Sequence, residues 1–441
     1  MMRLRTFSQG IHPAHRKSST QDEKIRRISP PKEVILPLQQ HIGAPCQSLV
    51  KRGDQVRKGD KIAEAGAFVS APIHASISGK ITAVELNSHP AGGKFKSIFI
   101  RGEGKEEDWK GGDEKNTDLS ELEPQEIRNR VKEAGIVGLG GATFPTHVKL
   151  TPPKEKPLDT VILNGCECEP YLTGDHRLML EEPEKCLFGL KAIIKAVGAR
   201  RGYVGIENNK MDAIALFQDK VAGEENIEVI PLRTQYPQGG EKMLVKAILN
   251  REVPSEGIPL DVGVVVSNIG TAVAIAECLK FNKPLIERVV TVSGSVVRKP
   301  ANLLVPLGTP FATFLEECDV EVDKMDRVIM GGPMMGISQA TLRVPVVKGT
   351  TAILVLRKEE VRSPLEDTCI RCAQCVDHCP LGLIPAELAR LVKNSKWERL
   401  KDYHIMDCME CGCCAYVCPA RIPIIQLIKL GKAEVQTKDA K

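Results

Sequence analysis

Residues 160–177 read TVILNGCECEPYLTGDHR. Thr160 to Leu163 is an unbroken aliphatic and β-branched run, the pattern of a short buried strand. The loop that follows carries Asn164, Glu167 and Glu169. Two carboxylates and an amide at the carboxyl end of a strand suit recognition of hydroxyls and ring nitrogens in a ligand crevice; a solvated acidic turn is the alternative. Outward from this stretch, strands and helices alternate. Pro183 to Val197 reads as a helix closed by Gly198, Gly202 to Ile206 as a strand, Lys210 to Val221 as a helix and Ile227 to Leu232 as a strand. Gly240 to Leu249 and Thr271 to Leu279 read as helices on either side of a strand at Val262 to Val266. This alternation over residues 136–280 predicts a doubly wound, largely parallel sheet with ligands at the carboxyl ends of its strands.

Just upstream, a helix with Pro124 in its first turn and Gly135 as its cap leads into GLGGATFPTHVK at 138–149. Glycines at Gly138, Gly140 and Gly141 let backbone N–H groups approach a phosphate or ring closely, and Lys149 adds a positive charge. The loop follows a helix rather than a strand and has Thr143 where a third glycine would stand, so it is not the dinucleotide fingerprint. A plain turn is the alternative. Gly140 to Thr143 is similar to a covalent flavin-attachment motif, but the acidic residue that chemistry needs upstream is missing. Any flavin here is therefore expected to be non-covalent.

Further out the character changes. Residues 31–105 hold short β-like runs punctuated by Gly53-Asp54 and Gly59-Asp60. Their phrasing resembles the biotinyl/lipoyl-type barrel-sandwich domain, whose modified lysine sits on an exposed hairpin. Here Ala65 to Ser70 has no lysine, which implies the fold without the swinging arm. Residues 1–30 read as an extended basic arm, and 103–118 as a charged, Gly-rich linker. Residues 286–340, with a helix over Pro310 to Glu317, resemble the soluble-ligand-binding β-grasp module. The expected organisation is an arm at 1–30, a barrel-sandwich at 31–105, an α/β domain at 119–284, a β-grasp at 285–345 and a cysteine-rich unit at 362–435.

Bulk properties fit this multidomain α/β reading. A chain of 441 residues accommodates about three domains of ~150 residues. Hydrophobic content of 42% and charged content of 27% are those of a globular protein. A net charge of +5 with only 10 Phe, 5 Tyr and 2 Trp gives no support for a nucleic-acid surface. The best candidate for a spanning segment, Val262 to Ala276, is 15 uncharged residues, short of the ~20 mostly apolar ones that span a bilayer. The amino-terminal residues lack the apolar core of a signal peptide. A cytoplasmic location is expected, with membrane contact only through a partner.

Of 15 cysteines, nine lie between Cys369 and Cys418. They contain two copies of one spacing: Cys369, Cys372, Cys375, Cys379-Pro380 and Cys408, Cys411, Cys414, Cys418-Pro419. This is the bacterial ferredoxin run for a [4Fe–4S] cluster, and the soft iron–sulfide core prefers thiolate donors. In two-cluster ferredoxins the fourth cysteine of each run serves the other cluster. The expected sets are therefore Cys369, Cys372, Cys375 with Cys418, and Cys408, Cys411, Cys414 with Cys379. The 28 residues between the runs include a helical segment, Pro385 to Val392, as in α-helical ferredoxins. Zinc fits eight cysteines at these gaps poorly. Cys413 falls out of register and reads as a spectator. Cys46, Cys186, Cys278 and Cys318 read as small buried residues.

The glycine-rich and acidic loops together resemble the flavin subunit of respiratory complex I. Tyr236 with Gly239-Gly240-Glu241, and Asn268 with Thr271, extend the match. Complex I has Glu-Glu where this chain has Gly240-Glu241. The module order is similar to the C subunits of Rnf complexes, ion-translocating ferredoxin:NAD oxidoreductases, over roughly residues 5–430. The resemblance implies FMN contacts at Gly138, Gly140, Lys149, Asn164, Glu167, Asn268 and Thr271. It implies NAD(H) contacts at Phe144, through ring stacking, and at Glu169 in the catalytic position beside the nicotinamide. It further implies two [4Fe–4S] clusters, membrane-embedded and other subunits of one electron-transport complex as partners, ferredoxin as an indirect partner and no nucleic acid. The implied location is peripheral, on the cytoplasmic face of the bacterial inner membrane. Two alternatives share these modules: a soluble flavin/iron–sulfur reductase similar to microcompartment cobalamin reductases, and a flavin-free iron–sulfur wire.

Overall fold

The computed structural model describes residues 4–105, 109, 111, 117–153, 155–361 and 366–439. At its centre is a four-stranded parallel sheet in the order Ile227–Leu232, Arg201–Glu207, Thr160–Gly165, Val264–Asn268. The aliphatic run at Thr160 to Leu163 is buried throughout, as a strand covered on both faces requires. Strand order reverses direction at Thr160–Gly165, which places the ligand crevice at its carboxyl end. There Asn164 and Asn268 stand side by side in register.

The helices Pro183–Val197 and Ile269–Phe281 pack against each other under the sheet. Their backbones meet at Gly189, where a Cβ would come within 2.1 Å of the Ala272 carbonyl oxygen. Two helices near the crevice, Thr146–Lys149 and Gly174–Glu181, lie where the sequence pattern suggests only loops.

Residues 31–105 form two antiparallel sheets. One runs Glu33–Pro37, Lys94–Arg101, Gly79–Ser88, Gln55–Val56, and the other Gln47–Ser48, Lys61–Glu64, Ile73–His74. The stretch expected as a β-grasp builds a mixed six-stranded sheet that reaches past 285–345 on both sides. It recruits Ala352–Arg357, and it also recruits Ile25–Arg27, which pairs in parallel with Ala301–Pro306. The expected linker at 103–118 falls mostly outside the described residues, although Trp109 donates to the Phe281 carbonyl at 2.9 Å.

The basic amino-terminal segment is not a free arm. Phe7, Ile11, Lys17 and Thr20 are buried. Ile11 and Tyr236 exchange backbone hydrogen bonds at 2.9 Å, and Asn302 Nδ2 donates to the Thr20 carbonyl at 2.8 Å. Its charges have partners. Arg27 pairs with the buried Glu287 at 2.7 Å, and Lys283 reaches the other carboxylate oxygen at 2.7 Å. Burial raises the Glu287 pKa, but Lys283 and Arg27 outweigh it and hold the carboxyl at about 2.

The barrel-sandwich, α/β and β-grasp units share one continuous apolar core. The carboxy-terminal unit has its own, built from Leu388, Leu391 and Val392 of helix Pro385–Lys393 against Ile424, Ile425 and Ile428 of helix Ile424–Asp439.

If the amino-terminal segment is part of the fold, trypsin should cut slowly at Arg16 and Lys24. Lys17→Met leaves three loop carbonyls without their donor, at about 1–3 kcal/mol each, and cleavage there should rise at least about tenfold. The Glu287 pairing is complete above its ordinary carboxyl value of 4.5 and is lost only as pH falls toward 2. The contribution of the Glu287 pairing to protection should accordingly be constant from about pH 5 to about pH 8.

Candidate flavin-nucleotide and cluster sites

A cavity of about 1190 Å³ opens at the carboxyl ends of the parallel strands. Single-ligand sites are typically ~300–1,000 Å³, so this one has room for a flavin mononucleotide and part of a second nucleotide. Gly138, Gly140, Phe144, Lys149, Asn164, Glu167, Glu169, Asn268 and Thr271 all line it. The structure thus brings every cofactor and catalytic residue expected from the two loops to one space.

The glycine-rich loop is anchored at its base and open at its tip. Thr271 Oγ1 accepts from Leu139 N at 2.9 Å, and Gly138 N donates to the Phe144 carbonyl at 2.9 Å. Gly141 has φ of +107° with open space at the position of a Cβ, and it lines the cavity. This is the bare backbone cradle that an anionic or planar group needs.

The other residues hold one another. Asn164 Nδ2 donates to the Gly239 carbonyl at 2.8 Å, while its Oδ1 accepts from Cys166 N at 3.1 Å. Asn268 caps helix Ile269–Phe281 by accepting from Gly270 N at 2.9 Å, and it donates to Asp175 at 2.6 Å. Glu167 has φ of +43° and accepts from Asp175 N at 2.7 Å and His176 N at 3.2 Å. Its carboxylate therefore caps helix Gly174–Glu181 as well as facing the cavity. Lys149 pairs with Glu241 at 2.5 Å across the mouth. Glu241 begins helix Glu241–Leu249, so the departure from complex I at Gly240-Glu241 coincides with a lysine partner.

Glu169 is less free than its expected role implies. Its carboxylate accepts from Met334 N at 3.0 Å and Met335 N at 2.8 Å, in the MGGPMMG loop of the β-grasp unit. Tyr236 Oη lies 3.5 Å from it. Burial pushes the carboxyl up to about 7, against the pull of the two amides.

Two residues at the site carry no mark in the sequence, and a third, Asp175, lies in the acidic stretch with no role read for it. Lys17 Nζ donates to the carbonyls of Glu167 at 2.8 Å, Glu169 at 3.0 Å and Leu172, so one buried ammonium shapes the acidic loop. Arg288, from the β-grasp strand Glu287–Ser293, lines the cavity and donates to the carbonyls of Leu139 at 3.2 Å and Lys348. Burial lowers its guanidinium to about 10, which leaves it charged at neutral pH. Asp175 is pushed up by burial and by the neighbouring Glu167. One lysine in a basic segment, or an arginine in a strand, has no local pattern to distinguish it.

The cysteine runs fold around two places. Cys369, Cys372, Cys375 and Cys418 line a second cavity, of about 510 Å³. Burial raises the pKa of the Cys379, Cys408 and Cys414 thiols, and the nearby Cys411 adds to the rise in each, while a hydrogen bond with Cys413 lowers Cys411 itself. Each group draws three residues from one run and one from the other. Among the described residues no three His, Cys, Asp or Glu side chains converge on a point that suits one metal ion. Sulfurs set around a volume match a polynuclear cluster better than a tetrahedral ion, whose Zn–S distance is about 2.3 Å. Cys413 is buried, its Sγ 4.0 Å from the Tyr236 carbonyl, and Cys46, Cys186, Cys278 and Cys318 are buried as well.

The two sites adjoin. Met409, between Cys408 and Cys411, lines the large cavity, and Tyr236 Oη donates to the Cys411 carbonyl at 2.7 Å. Cys369 and Cys372 are exposed.

Known proteins share this arrangement. Residues 5–105 match the RnfC barrel sandwich hybrid domain, 131–277 the Nuo51 FMN-binding domain and 368–422 the 4Fe-4S dicluster domain. The chain is 43% identical over 430 residues to the C subunit of the Na(+)-translocating ferredoxin:NAD(+) oxidoreductase complex of Acetobacterium woodii, a match that spans 98% of this chain and 97% of that one. It is 44% identical over 432 residues to the proton-translocating counterpart of Clostridium ljungdahlii, spanning 98% and 94%. With the C subunit of the ion-translocating oxidoreductase complex of Rhodobacter capsulatus it shares 42% over 445 residues, spanning 99% and 85%. Among solved structures, the H2-reduced NAD+-reducing [NiFe]-hydrogenase has the same fold in part. Its TM-score is 0.50 at 18% identity, over 71% of this chain and 62% of that one.

Two outcomes test the site residues. Cys418→Ser should impair the cluster of the first run and Cys379→Ser that of the second, read by EPR after anaerobic reconstitution, with Cys413→Ser leaving iron content unchanged. Lys149→Ala should weaken FMN binding about tenfold or more, since a hydrogen bond to a charged group contributes ~1.5–3 kcal/mol. Acid should release the flavin of the wild-type protein into the supernatant.

Proposed function

This chain belongs to the family of C subunits of ion-translocating ferredoxin:NAD(+) oxidoreductase complexes, and we propose that its large cavity is the place where NAD(H) and FMN meet. The chain is an electron-transfer subunit with an FMN-binding domain and a 4Fe-4S dicluster domain. FMN supplies the exchange between hydride, an electron pair, and the single electrons that iron–sulfur clusters carry. The residues supply position and field. The open glycine tip and Lys149 suit the flavin phosphate, and Asn164, Asn268 and Thr271 set the floor against which the ring would lie. Phe144, half-buried on the cavity wall, offers a stacking face. Glu169 holds a carboxylate beside the cluster-bearing unit, on the side assigned to the nicotinamide.

The adjacency of Met409 and Tyr236 to the cavity carries this reading, because it sets Cys379, Cys408, Cys411 and Cys414 next to the flavin space. Cys369, Cys372, Cys375 and Cys418 are then the outer set, with two members at the surface for exchange with another subunit. No helix among the described residues is long and apolar enough to cross a membrane. We place the chain peripherally on the cytoplasmic face of the bacterial inner membrane, docked on membrane-embedded partners, with ferredoxin reached indirectly. The two relatives near 43–44% identity are named for different ions, which supports an ion path in those partners. A flavin-free wire is disfavoured by the FMN-binding match and the cavity, and a cobalamin reductase by the near-full-length likeness to C subunits.

Anaerobic NADH titration followed by absorbance and EPR tests the arrangement. In Cys379→Ser, NADH should still bleach the flavin while the signal of the Cys369 set stays oxidised. Reduction of that set at the wild-type rate would reverse the inner and outer assignment. Glu169→Gln should retain FMN and iron yet be reduced more slowly, by about tenfold or more if the carboxylate orients the nicotinamide.

A further inference from the structure

The barrel-sandwich unit contributes one residue to the lining of the large cavity among the described residues, Phe68. It stands on the hairpin between the strands Lys61–Glu64 and Ile73–His74, where a lipoyl-type domain would carry its modified lysine. A phenylalanine that is 61% exposed, at the rim of a ligand cavity, has apolar surface to gain from being covered. The hairpin is also held firmly, which a residue that only decorates a surface does not need. His147 Nε2 donates to the Phe68 carbonyl at 3.1 Å, and the two rings meet edge to face at 5.8 Å. His147 lies two residues before Lys149, in the helix that ends the glycine-rich loop. Ile42 N donates to the Thr143 carbonyl at 3.3 Å, tying a second barrel loop to the same glycine-rich segment. Within the barrel, Ala44 N donates to the Val69 carbonyl at 3.0 Å, and Ala71 N donates to the buried His41 at 3.1 Å.

We propose that Phe68 is the nucleobase platform of the dinucleotide site, stacking on the adenine ring of NAD(H) at the cavity mouth. This rests on the reading of the cavity as the NAD(H) and FMN site. The nicotinamide must reach the flavin ring in the interior, where Phe144 is half-buried, so the adenine is the end left at the exposed rim. A flat, apolar, rigidly mounted ring is the chemistry that recognises a base without reading its edges. The barrel-sandwich, having no carrier lysine, is thereby part of the substrate site.

The test uses the full-length holoprotein and two probes, ADP-ribose and reduced nicotinamide mononucleotide, which lacks adenine. Phe68→Ala should weaken ADP-ribose binding, measured by calorimetry, about five- to 150-fold, the range of lost base stacking. It should raise KM for NADH with little change in kcat, and leave turnover of the mononucleotide, FMN content and iron content as in wild type. Phe68→Trp should restore the affinity. Phe68→Leu, which keeps apolar bulk but no ring face, should behave like Phe68→Ala. Wild-type ADP-ribose affinity in Phe68→Ala or Phe68→Leu would overturn the proposal, as would an equal loss with both dinucleotide and mononucleotide. If wild-type protein binds no ADP-ribose and is not reduced by NADH, it is the NAD(H) reading itself that fails.

Discussion

A cavity kept open for a ligand cannot be walled by loops that satisfy one another, because packing the loops together would fill it. Here the loop backbones are held by side chains set behind the cavity wall, some from other elements and some from the loops themselves. Lys17 takes three carbonyls of the acidic loop, Asn164 bridges it to Gly239, and Glu167 caps a helix. Thr271 and Arg288 secure the glycine-rich loop at Leu139 from opposite sides. Each unpaired polar group would cost about 1–3 kcal/mol, so these contacts fix the shape of the site before any ligand arrives. Several residues that line the cavity therefore have two duties, and a loss of flavin on mutating Glu167 or Asn268 reports on the loops as much as on the ligand.

The same constraint explains what was legible in the sequence. Strand periodicity, glycine spacing and the cysteine runs are local patterns, and the parallel sheet, the open loop and the grouped thiols follow from them. The helix Gly174–Glu181 escapes a local reading because its amino-terminal cap comes from Glu167, not from the residue that precedes it. The amino-terminal segment resembles a solvated basic arm because its partners, Glu287 and the acidic-loop carbonyls, are more than a hundred residues away. Arg288 is hidden for the same reason: a strand arginine is usually solvated, and only the docking of the β-grasp on the α/β unit turns it inward. The paired cysteine runs, by contrast, are read from local spacing, and their expected crossed grouping comes from the behaviour of two-cluster ferredoxins.

Energetically the molecule has two parts. Three units share one apolar core and stand or fall together. The cysteine-rich unit keeps a separate core and is joined by polar contacts, among them Asp407 with Glu256 N at 2.7 Å and Lys242 at 3.5 Å, and by a small apolar cluster of Ile11, Tyr236, Cys411 and Cys413. Tyr236 forms the tighter joint, with its backbone on Ile11 and its hydroxyl on the Cys411 carbonyl. The amino-terminal segment, the flavin unit and the cluster unit thus meet at a single aromatic side chain.

The exchange of one cysteine between the two runs has a consequence for biogenesis. Cys379 and Cys418 are 39 positions apart in the chain, and each completes the set begun by the other run. During synthesis the first three thiols emerge with no fourth partner until the whole second run has followed. Neither set can mature as the chain emerges, and an iron–sulfur donor must meet a finished fold rather than a growing one. With both clusters bound, the stretch from Pro380 to Asp407 would be closed into a loop by bonds to iron at both of its ends.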